Sequence, residues 1–294
     1  MKTFISLSAL FLSLSLTAQS NPATWYLNDT SGNGIQSPSN TASGNRSTAM
    51  GHFTTASGDY STAMGYNSEA SGDYSTAMGD YTEASGNVST ALGRDTTASG
   101  NYSTAMGYKT TASGGTSTAM GLATNAEDYI SFAIGSFNET DENSNPYQFS
   151  FQNTAFVIGN GGFDSNGNFL GLNGPRSNAF EVLFDGTTTI AGDLNVNSDA
   201  RLKANIVSLG STLSKLLQID GKSYTMKKDE SEKQKIGLLA QDIEKVFPEL
   251  VSESNGIKSV NYQGLVPVLI NALKEQQSEI DELKTMLKTL IEKT

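Results

Sequence analysis

One pattern of 14 residues recurs without a gap from Thr41 onward. Six close copies run to residue 124, and a seventh, degenerate copy follows at 125–138. Each close copy holds two nearly constant blocks, Ala-Ser-Gly and Ser-Thr-Ala-Met-Gly, and we expect their final glycines where the backbone turns through positive φ. Two short strands and two turns in 14 residues predict one coil of a parallel β-solenoid.

The strand-forming block alternates its side chains between two faces. In Ser47-Thr48-Ala49-Met50, the side chains of Thr48 and Met50 lie on one face and that of Ala49 on the other. Both faces are small or apolar in every copy, whereas a lone solenoid needs only an interior face of that kind. The second face is therefore expected to pack against other subunits, and the pattern does not decide which face points inward.

Two positions between the constant blocks vary freely, and we interpret both as exposed turns. The first holds Arg46, Tyr60, Tyr74, Val88, Tyr102 and Thr116, and the second holds His52, Tyr66, Asp80, Arg94 and Tyr108. Recurrent tyrosine at these sites is compatible with ligand binding, or with simple tolerance of tyrosine at a strand edge. No second metal ligand repeats beside the single histidine, so neither a metal nor a cofactor is predicted.

The repeat resembles the head repeat of trimeric autotransporter adhesins over residues 41–138. The resemblance implies a left-handed parallel β-roll, three chains to a homotrimer, and adhesion to a glycan or protein ligand on a surface. No counterpart of those adhesins' membrane anchor is recognised, so the route of surface attachment stays open.

The N-terminus indicates an exported protein, and the charge balance argues against a nucleic-acid partner. Lys2, the apolar run from Phe4 to Leu16 and a small residue at Ala18 predict a signal peptide over 1–18, before a linker at 19–40. No other stretch is apolar enough to span a membrane. Residues 198–294 carry 14 Lys+Arg and 14 Asp+Glu, which leaves 5 and 16 for 1–197, so the acidic stalk is not expected to bind nucleic acid.

Residues 139–197 are predicted to form a β-rich neck. Short apolar runs between Gly and Asn turns predict strands at Ala155–Ile158, Phe169–Leu172, Ala179–Phe184, Thr187–Ile190 and Asp193–Val196, with a hairpin turn at Asp185-Gly186. The GNGG run at 159–162 is interpreted as a turn, since no helix pattern follows to form a phosphate loop. Segments around Arg176–Phe180 resemble the neck of phage tail fibres.

At residue 198 the composition becomes helical, and two residues there suggest chemistry. Ser198 precedes Lys203 by five residues, and a turn would make them a nucleophile and base if the lysine were desolvated and neutral. On spacing alone, a helix cap at Ser198 or Asp199 is the simpler interpretation.

Three sequence blocks of 198–294 resemble the intramolecular chaperone domain of phage endosialidase tailspikes, a self-cleaving peptidase family. They begin at Ser198-Asp199-Ala200-Arg201-Leu202-Lys203, Ile236-Gly237-Leu238-Leu239-Ala240-Gln241 and Val260-Asn261-Tyr262. The resemblance implies that Ser198 is the nucleophile, Lys203 its base, and Asp199 and Arg201 their support. It further implies that trimerisation completes the site and that one cut follows, at Asn197–Ser198 or else at Ser198–Asp199.

The last segment predicts a coiled coil. Apolar residues fall at alternating spacings of three and four, at Val266, Leu269, Leu273, Ile280, Leu283, Leu287 and Leu290. An amphipathic helix on a globular core is the alternative. Since such heptads do not fix three strands, the homotrimer rests on the two resemblances.

The predicted fold class is a mainly β stalk, a trimeric left-handed parallel β-roll, plus a C-terminal mixed α/β module that ends in a trimeric coiled-coil helix. The predicted function is a secreted or cell-surface adhesive fibre whose module at 198–294 templates assembly and then releases itself. The alternatives are a permanent trimer clamp without cleavage and a tailspike-like fibre that acts on glycans. Paired carboxylates in a cleft are not apparent in 41–197, so no activity on other substrates is expected.

Overall fold

The computed structural model describes residues 26–27, 35–36, 38–140, 144–227 and 233–293. Contacts divide the chain into two compact units between Leu194 and Asn195. The predicted signal peptide at 1–18 and most of the predicted linker lie outside the described residues.

The first unit is a parallel β-solenoid of two ladders. Five-residue strands form one ladder: Thr48–His52, Thr62–Tyr66, Thr76–Asp80, Thr90–Arg94, Thr104–Tyr108, Thr118–Leu122 and Phe132–Ser136. Two-residue strands form the other: Thr41–Ala42, Thr55–Ala56, Glu69–Ala70, Glu83–Ala84, Thr97–Ala98, Thr111–Ala112 and Asn125–Ala126. Pairing is parallel and in register with the repeat, so Ala49 lies beside Ala63 and Met50 beside Met64. The predicted solenoid is confirmed.

The alanines of both ladders form the interior of this solenoid. Ala49 and Ala56 are fully buried, as are their equivalents in the following coils. Thr48 and Met50 are only half-buried, so their face points outward. The interior is therefore the alanine face, and the threonine–methionine face is the second face that the sequence left unassigned.

The two classes of repeat glycine are required mainly by close contact between coils. A Cβ on Gly58 would lie 2.1 Å from the Gly72 carbonyl oxygen, and one on Gly65 would lie 2.0 Å from that of Gly79. Only the second class has positive φ, +113° at Gly65. The expectation of positive φ is therefore wrong for the Ala-Ser-Gly block, whose glycines lie where successive backbones touch.

The tight turns are formed by variable residues in the left-handed region. Tyr60 has φ of 58° and Asn67 has φ of 48°, and their equivalents in the other coils behave alike. The first variable position is thus a turn, as predicted. The second is not, because His52 and Tyr66 are the last residues of five-residue strands. The turn comes one residue later.

Polar side chains replace the missing coil at each end of the stack. At the first end, Asn40 accepts the Thr54 N–H through Oδ1 at 2.9 Å and donates to the Gly51 carbonyl at 2.8 Å. In the degenerate seventh copy, Asp128 takes the repeat's glycine position, and its carboxylate accepts the N–H groups of Asn145 and Thr154 at 2.9 and 2.8 Å. The seventh copy therefore ends the solenoid.

Short strands flank the solenoid on both sides. Ile35–Gln36 pairs with Tyr26–Leu27 and with the first long strand. After the last coil, Thr154–Asn160 pairs in parallel with Phe132–Ser136, and Asn178–Leu183 and Thr188–Ile190 follow in antiparallel order.

Three of the five predicted neck strands are confirmed. Phe169–Leu172 is wrong, because only Phe169 bridges, to Phe163, before Gly171 turns the chain. Asp193–Val196 is also wrong, since that segment is exposed and pairs with no strand in the described residues. The turn predicted at 159–162 begins later than expected, because Gly159 and Asn160 still belong to a strand.

The second unit is a small mixed module whose described residues form three α-helices: α1 (Leu213–Leu216), α2 (Ala240–Val246) and α3 (Leu265–Ile291). Two hairpins pair Lys222–Tyr224 with Lys235–Gly237 and Val251–Ser254 with Ile257–Val260, and 3-10 turns span Ala200–Leu202 and Pro248–Leu250. Ile243, Phe247 and Val268 form the core. The mixed α/β prediction is confirmed.

Helix α3 packs on this core with one face and leaves the predicted heptad face uncovered. Leu265, Val268 and Ala272 are buried. The seven predicted coiled-coil residues are instead between 39% and 66% exposed in the single chain. The core contact thus uses residues other than the heptad, and the coiled coil stays a prediction.

We expect Gly72→Ala to destabilise the stalk, because the added Cβ would lie 2.0 Å from the Gly86 carbonyl oxygen. Both atoms are held by the backbone, so a side-chain rotation cannot relieve the clash. Overpacking of this kind costs about 1–3 kcal/mol or more. The measurement is thermal unfolding followed by the β signal in circular dichroism. Gly192→Ala is the control, since nothing lies within 4 Å of the added methyl group. Equal melting temperatures for both variants would contradict this interpretation of the glycines.

Candidate functional site

A short turn at the start of the second unit brings the predicted nucleophile and base into contact. Ala200–Leu202 forms a single 3-10 turn, after which the backbone of Lys203 is extended. This reversal carries the lysine side chain back along the chain, and Nζ of Lys203 donates a hydrogen bond to Oγ of Ser198 at 2.6 Å. The pair thus has the heavy-atom distance that a nucleophile and its base require.

Asp199 and Arg201 build this turn. Asp199 caps it by accepting the Arg201 N–H at 2.8 Å, and its carboxylate forms a two-pronged ion pair with the Arg201 guanidinium at 2.7 and 3.0 Å. The guanidinium, and then the N–H, hold the pKa of the Asp199 carboxyl below its usual value. The capping interpretation is therefore correct for Asp199, whereas Ser198 bonds to the lysine.

Every residue from 191 to 211 is exposed in the single chain. Asn197, on the predicted scissile bond, is among them. General-base catalysis by lysine needs the neutral amine, and desolvation favours that form. One chain alone therefore supplies the contact between Ser198 and Lys203 but not the apolar cover.

Helix α3 holds the segment that follows this turn. The Glu275 carboxylate accepts the Ser211 hydroxyl at 2.6 Å and the Thr212 N–H at 2.5 Å. The buried Thr212 hydroxyl donates to the Val268 carbonyl oxygen at 2.9 Å. These bonds, the Ser211 hydroxyl foremost, lower the pKa of Glu275. The sequence offers no signal for this role of Glu275, because its partners lie more than 60 positions away along the chain.

The part of the chain that the structure describes contains no group of three or more His, Cys, Asp and Glu side chains placed to hold a metal ion. None of its helices combines the length and the apolar character needed to cross a bilayer.

Two family models match the chain. The chaperone of endosialidase model matches residues 198–252, and the YadA head domain repeat model matches six stretches between residues 38 and 138, of which the first five overlap. The chain joins YadA head repeats to a chaperone-of-endosialidase domain. The chaperone match begins at Ser198, the residue that contacts Lys203.

Curated relatives are phage long tail fiber proteins. Long tail fiber protein Gp37 of Salmonella phage S16 is 36% identical over 108 residues, which cover 33% of this chain and 14% of the relative. Those of Enterobacteria phages M1 and Ox2 are 35% and 34% identical over 128 residues, which cover 38% of this chain and 50% of each relative. The chain therefore spans half or less of the length of these relatives.

We expect Glu275→Gln to lower the stability of the second unit at pH 7. Because folding depresses the pKa of Glu275, the ionised carboxylate stabilises the fold above the unfolded-state pKa of about 4.3. That contribution is lost as the pH falls through the folded-state pKa, so the difference between variant and wild type should shrink in acid.

The measurement is urea unfolding of the full chain at pH 7 and pH 3, followed by helical ellipticity, since every α-helix in the described residues belongs to the second unit. Glu279→Gln, at an exposed position of the same helix, is the control. A Glu275→Gln effect that is as large at pH 3 as at pH 7 would refute the role of its charge.

Proposed function

We propose that this chain forms a trimeric extracellular fibre, with the head repeats as its adhesive stalk and the chaperone domain as its assembly module. The observation that carries the proposal is an apolar stripe along the outside of the solenoid. One residue per coil contributes to it: Met50, Met64, Met78, Leu92, Met106, Met120 and Ile134. All are half-buried or exposed in the single chain.

A stripe of this kind fits burial between copies of the same chain. Its spacing is set by the 14-residue coil, so three stripes in register present equivalent surfaces to one another along the whole stalk. Continuous apolar surface is unfavourable in water, and its burial on association stabilises the folded chains. The YadA head repeats and the tail-fibre relatives support the same trimeric arrangement.

The uncovered face of α3 supports association at the other end of the chain. Leu283, Leu287 and Leu290 are each more than half exposed, and their spacing suits a coiled-coil seam. Nearer the core, Leu269 borders an apolar groove of about 220 Å³ that Leu216 and Leu238 also line. A neighbouring chain would cover both surfaces.

We expect Leu283→Glu to weaken the trimer by more than about a hundredfold, since each of the three helices would bury a charged side chain in the coiled coil. Wild type should run as an SDS-resistant trimer, and light scattering measures the molar mass of both. Lys284→Glu, one residue along the same helix, is the control and should stay trimeric. A monomeric wild type would overturn the trimeric fibre altogether.

The need for an assembly module follows from the stalk's topology. Parallel β-pairing among three chains is nonlocal and slow, and exposed strand edges invite aggregation. A helical domain that associates quickly raises the local concentration of three stalk ends and sets their register. Removal of this domain after assembly would remove the path by which the fibre could disassemble. The stability of the fibre would then be kinetic.

The same proposal includes self-cleavage at Ser198. Neutral Lys203 takes the proton from Oγ of Ser198, and the oxygen attacks the carbonyl carbon of Asn197. The bond from that carbon to the Ser198 nitrogen breaks as the lysine returns the proton to the nitrogen. Water then hydrolyses the ester, which leaves a carboxylate on Asn197 and the Ser198 hydroxyl restored. The 2.6 Å contact between Nζ and Oγ supports this assignment.

We expect intact-mass analysis to find wild type cut before Ser198, and Ser198→Ala and Lys203→Ala uncut. Ser214→Ala and Lys227→Ala, at exposed positions elsewhere in the domain, are matched controls and should be cut. A fragment that begins at Asp199 would move the scissile bond by one residue.

One uncut mass for wild type and all variants would refute self-processing and leave a permanent trimer clamp. The exposure of Ser198 and Lys203 in the single chain is the observation that favours this second candidate. Sedimentation of the same samples separates self-processing from a permanent clamp, because the uncut chains of a clamp still sediment as a trimer.

A further inference from the structure

A groove of about 320 Å³ opens on the stalk where the solenoid ends. Tyr102, Tyr129 and Tyr147 line it together with Asn101, Thr116 and Pro146. Tyr102 is 63% exposed and Tyr147 is 85% exposed, so both present their rings to solvent. The volume of the groove falls in the range of small-molecule sites, roughly 300–1,000 Å³.

The groove exists because one copy of the repeat departs from the rest. In earlier coils an Asn or Asp side chain at one turn position bonds to the preceding coil, as when Oδ1 of Asn101 accepts the Asn87 N–H at 3.0 Å. The next coil has Gly115 at this position, and its N–H donates instead to the Pro146 carbonyl oxygen at 2.8 Å. The ring of Tyr129 lies against Gly115, within 3.0 Å of where a Cβ would stand.

This departure leaves hydrogen-bond donors in the groove. Without a side chain at Gly115, the backbone N–H of Asn101 meets no acceptor among the described residues. Nδ2 of Asn101 and the hydroxyl of Thr116 likewise donate to no group there. Phenol rings beside free donors offer flat apolar faces and polar contacts together.

We propose that this groove binds a neutral saccharide. A sugar ring combines an apolar C–H face, which stacks on tyrosine, with hydroxyls that accept and donate hydrogen bonds. None of the lining residues is charged, and residues 1–197 carry 16 acidic against 5 basic side chains, which disfavours anionic sugars. The inference deepens the adhesive part of the proposed function by naming its site and ligand class.

Isothermal titration of the full chain tests this with cellohexaose, maltohexaose and chitohexaose as neutral probes. A sialic acid hexamer and a heparin hexasaccharide are the anionic arm. We expect at least one neutral probe to bind, and Tyr102→Ala and Tyr147→Ala each to weaken it about tenfold or more. Tyr74→Ala is the matched control, because Tyr74 occupies the same repeat position as Tyr102, also with positive φ, outside the groove.

Binding of anionic probes alone, binding of no probe at millimolar concentration, or equal losses in Tyr74→Ala and Tyr102→Ala would overturn the inference. Sedimentation of the same samples reports the trimer separately. The groove lies within one chain, so a trimer without saccharide binding refutes only the groove. A monomer that binds saccharide refutes only the assembly.

Discussion

The stacking of one backbone coil on the next, every 14 residues, is the contact on which the stalk depends. Each coil donates to its neighbour, as in the 2.9 Å bonds from the Thr48 and Thr62 N–H groups to the carbonyls of Ser61 and Ser75. Such a narrow coil has room inside only for alanine, serine and threonine. Alanine buries little apolar area, so the single solenoid gains less from the hydrophobic effect than a thick core does. The outer methionine stripe is a regular apolar surface that the single chain leaves at most half-buried, which is why association and fold are linked in our proposal.

A stack of identical coils also has two ends that its own repeat cannot satisfy. The sequence changes there, with Asn40 before the first close copy and Asp128 at the glycine position of the last. Asp128 fits at that position because no further repeat coil presses on it, and its carboxylate replaces that coil as acceptor. The chain segment that Asp128 anchors is the one that completes the groove beside Gly115. Termination of the repeat and the candidate binding site therefore have one structural origin.

The parts of the fold that could be predicted from the sequence are those set by local periodicity. The 14-residue period predicts coil and register, because parallel in-register pairing repeats each side chain beside its own copy. The inward face could not be predicted, since alanine and methionine suit an interior equally until backbone spacing selects the smaller. Phe169–Leu172 is apolar enough for a strand, yet only Phe169 bridges, to Phe163, and the apolar run alone does not indicate that pairing stops there. The contact from Ser198 to Lys203 depends on a single turn, and Glu275 acts across 63 residues, so spacing alone predicts neither.

The exposure of Ser198 and Lys203 has a consequence for the order of events. If a single chain supplied a desolvated lysine, cleavage would release the chaperone domain before three chains had met. Water reaches both side chains in the single chain, so the proposed catalysis would lack desolvation of Lys203 rather than its contact with Ser198. In our proposal helix α3 would link desolvation of Lys203 to assembly, because Glu275 and Asn271 bind the segment 210–213, which begins seven residues beyond Lys203. Association along the exposed seam of α3 would bring three such segments together, so the self-cleavage proposed at Ser198 would follow trimerisation by construction.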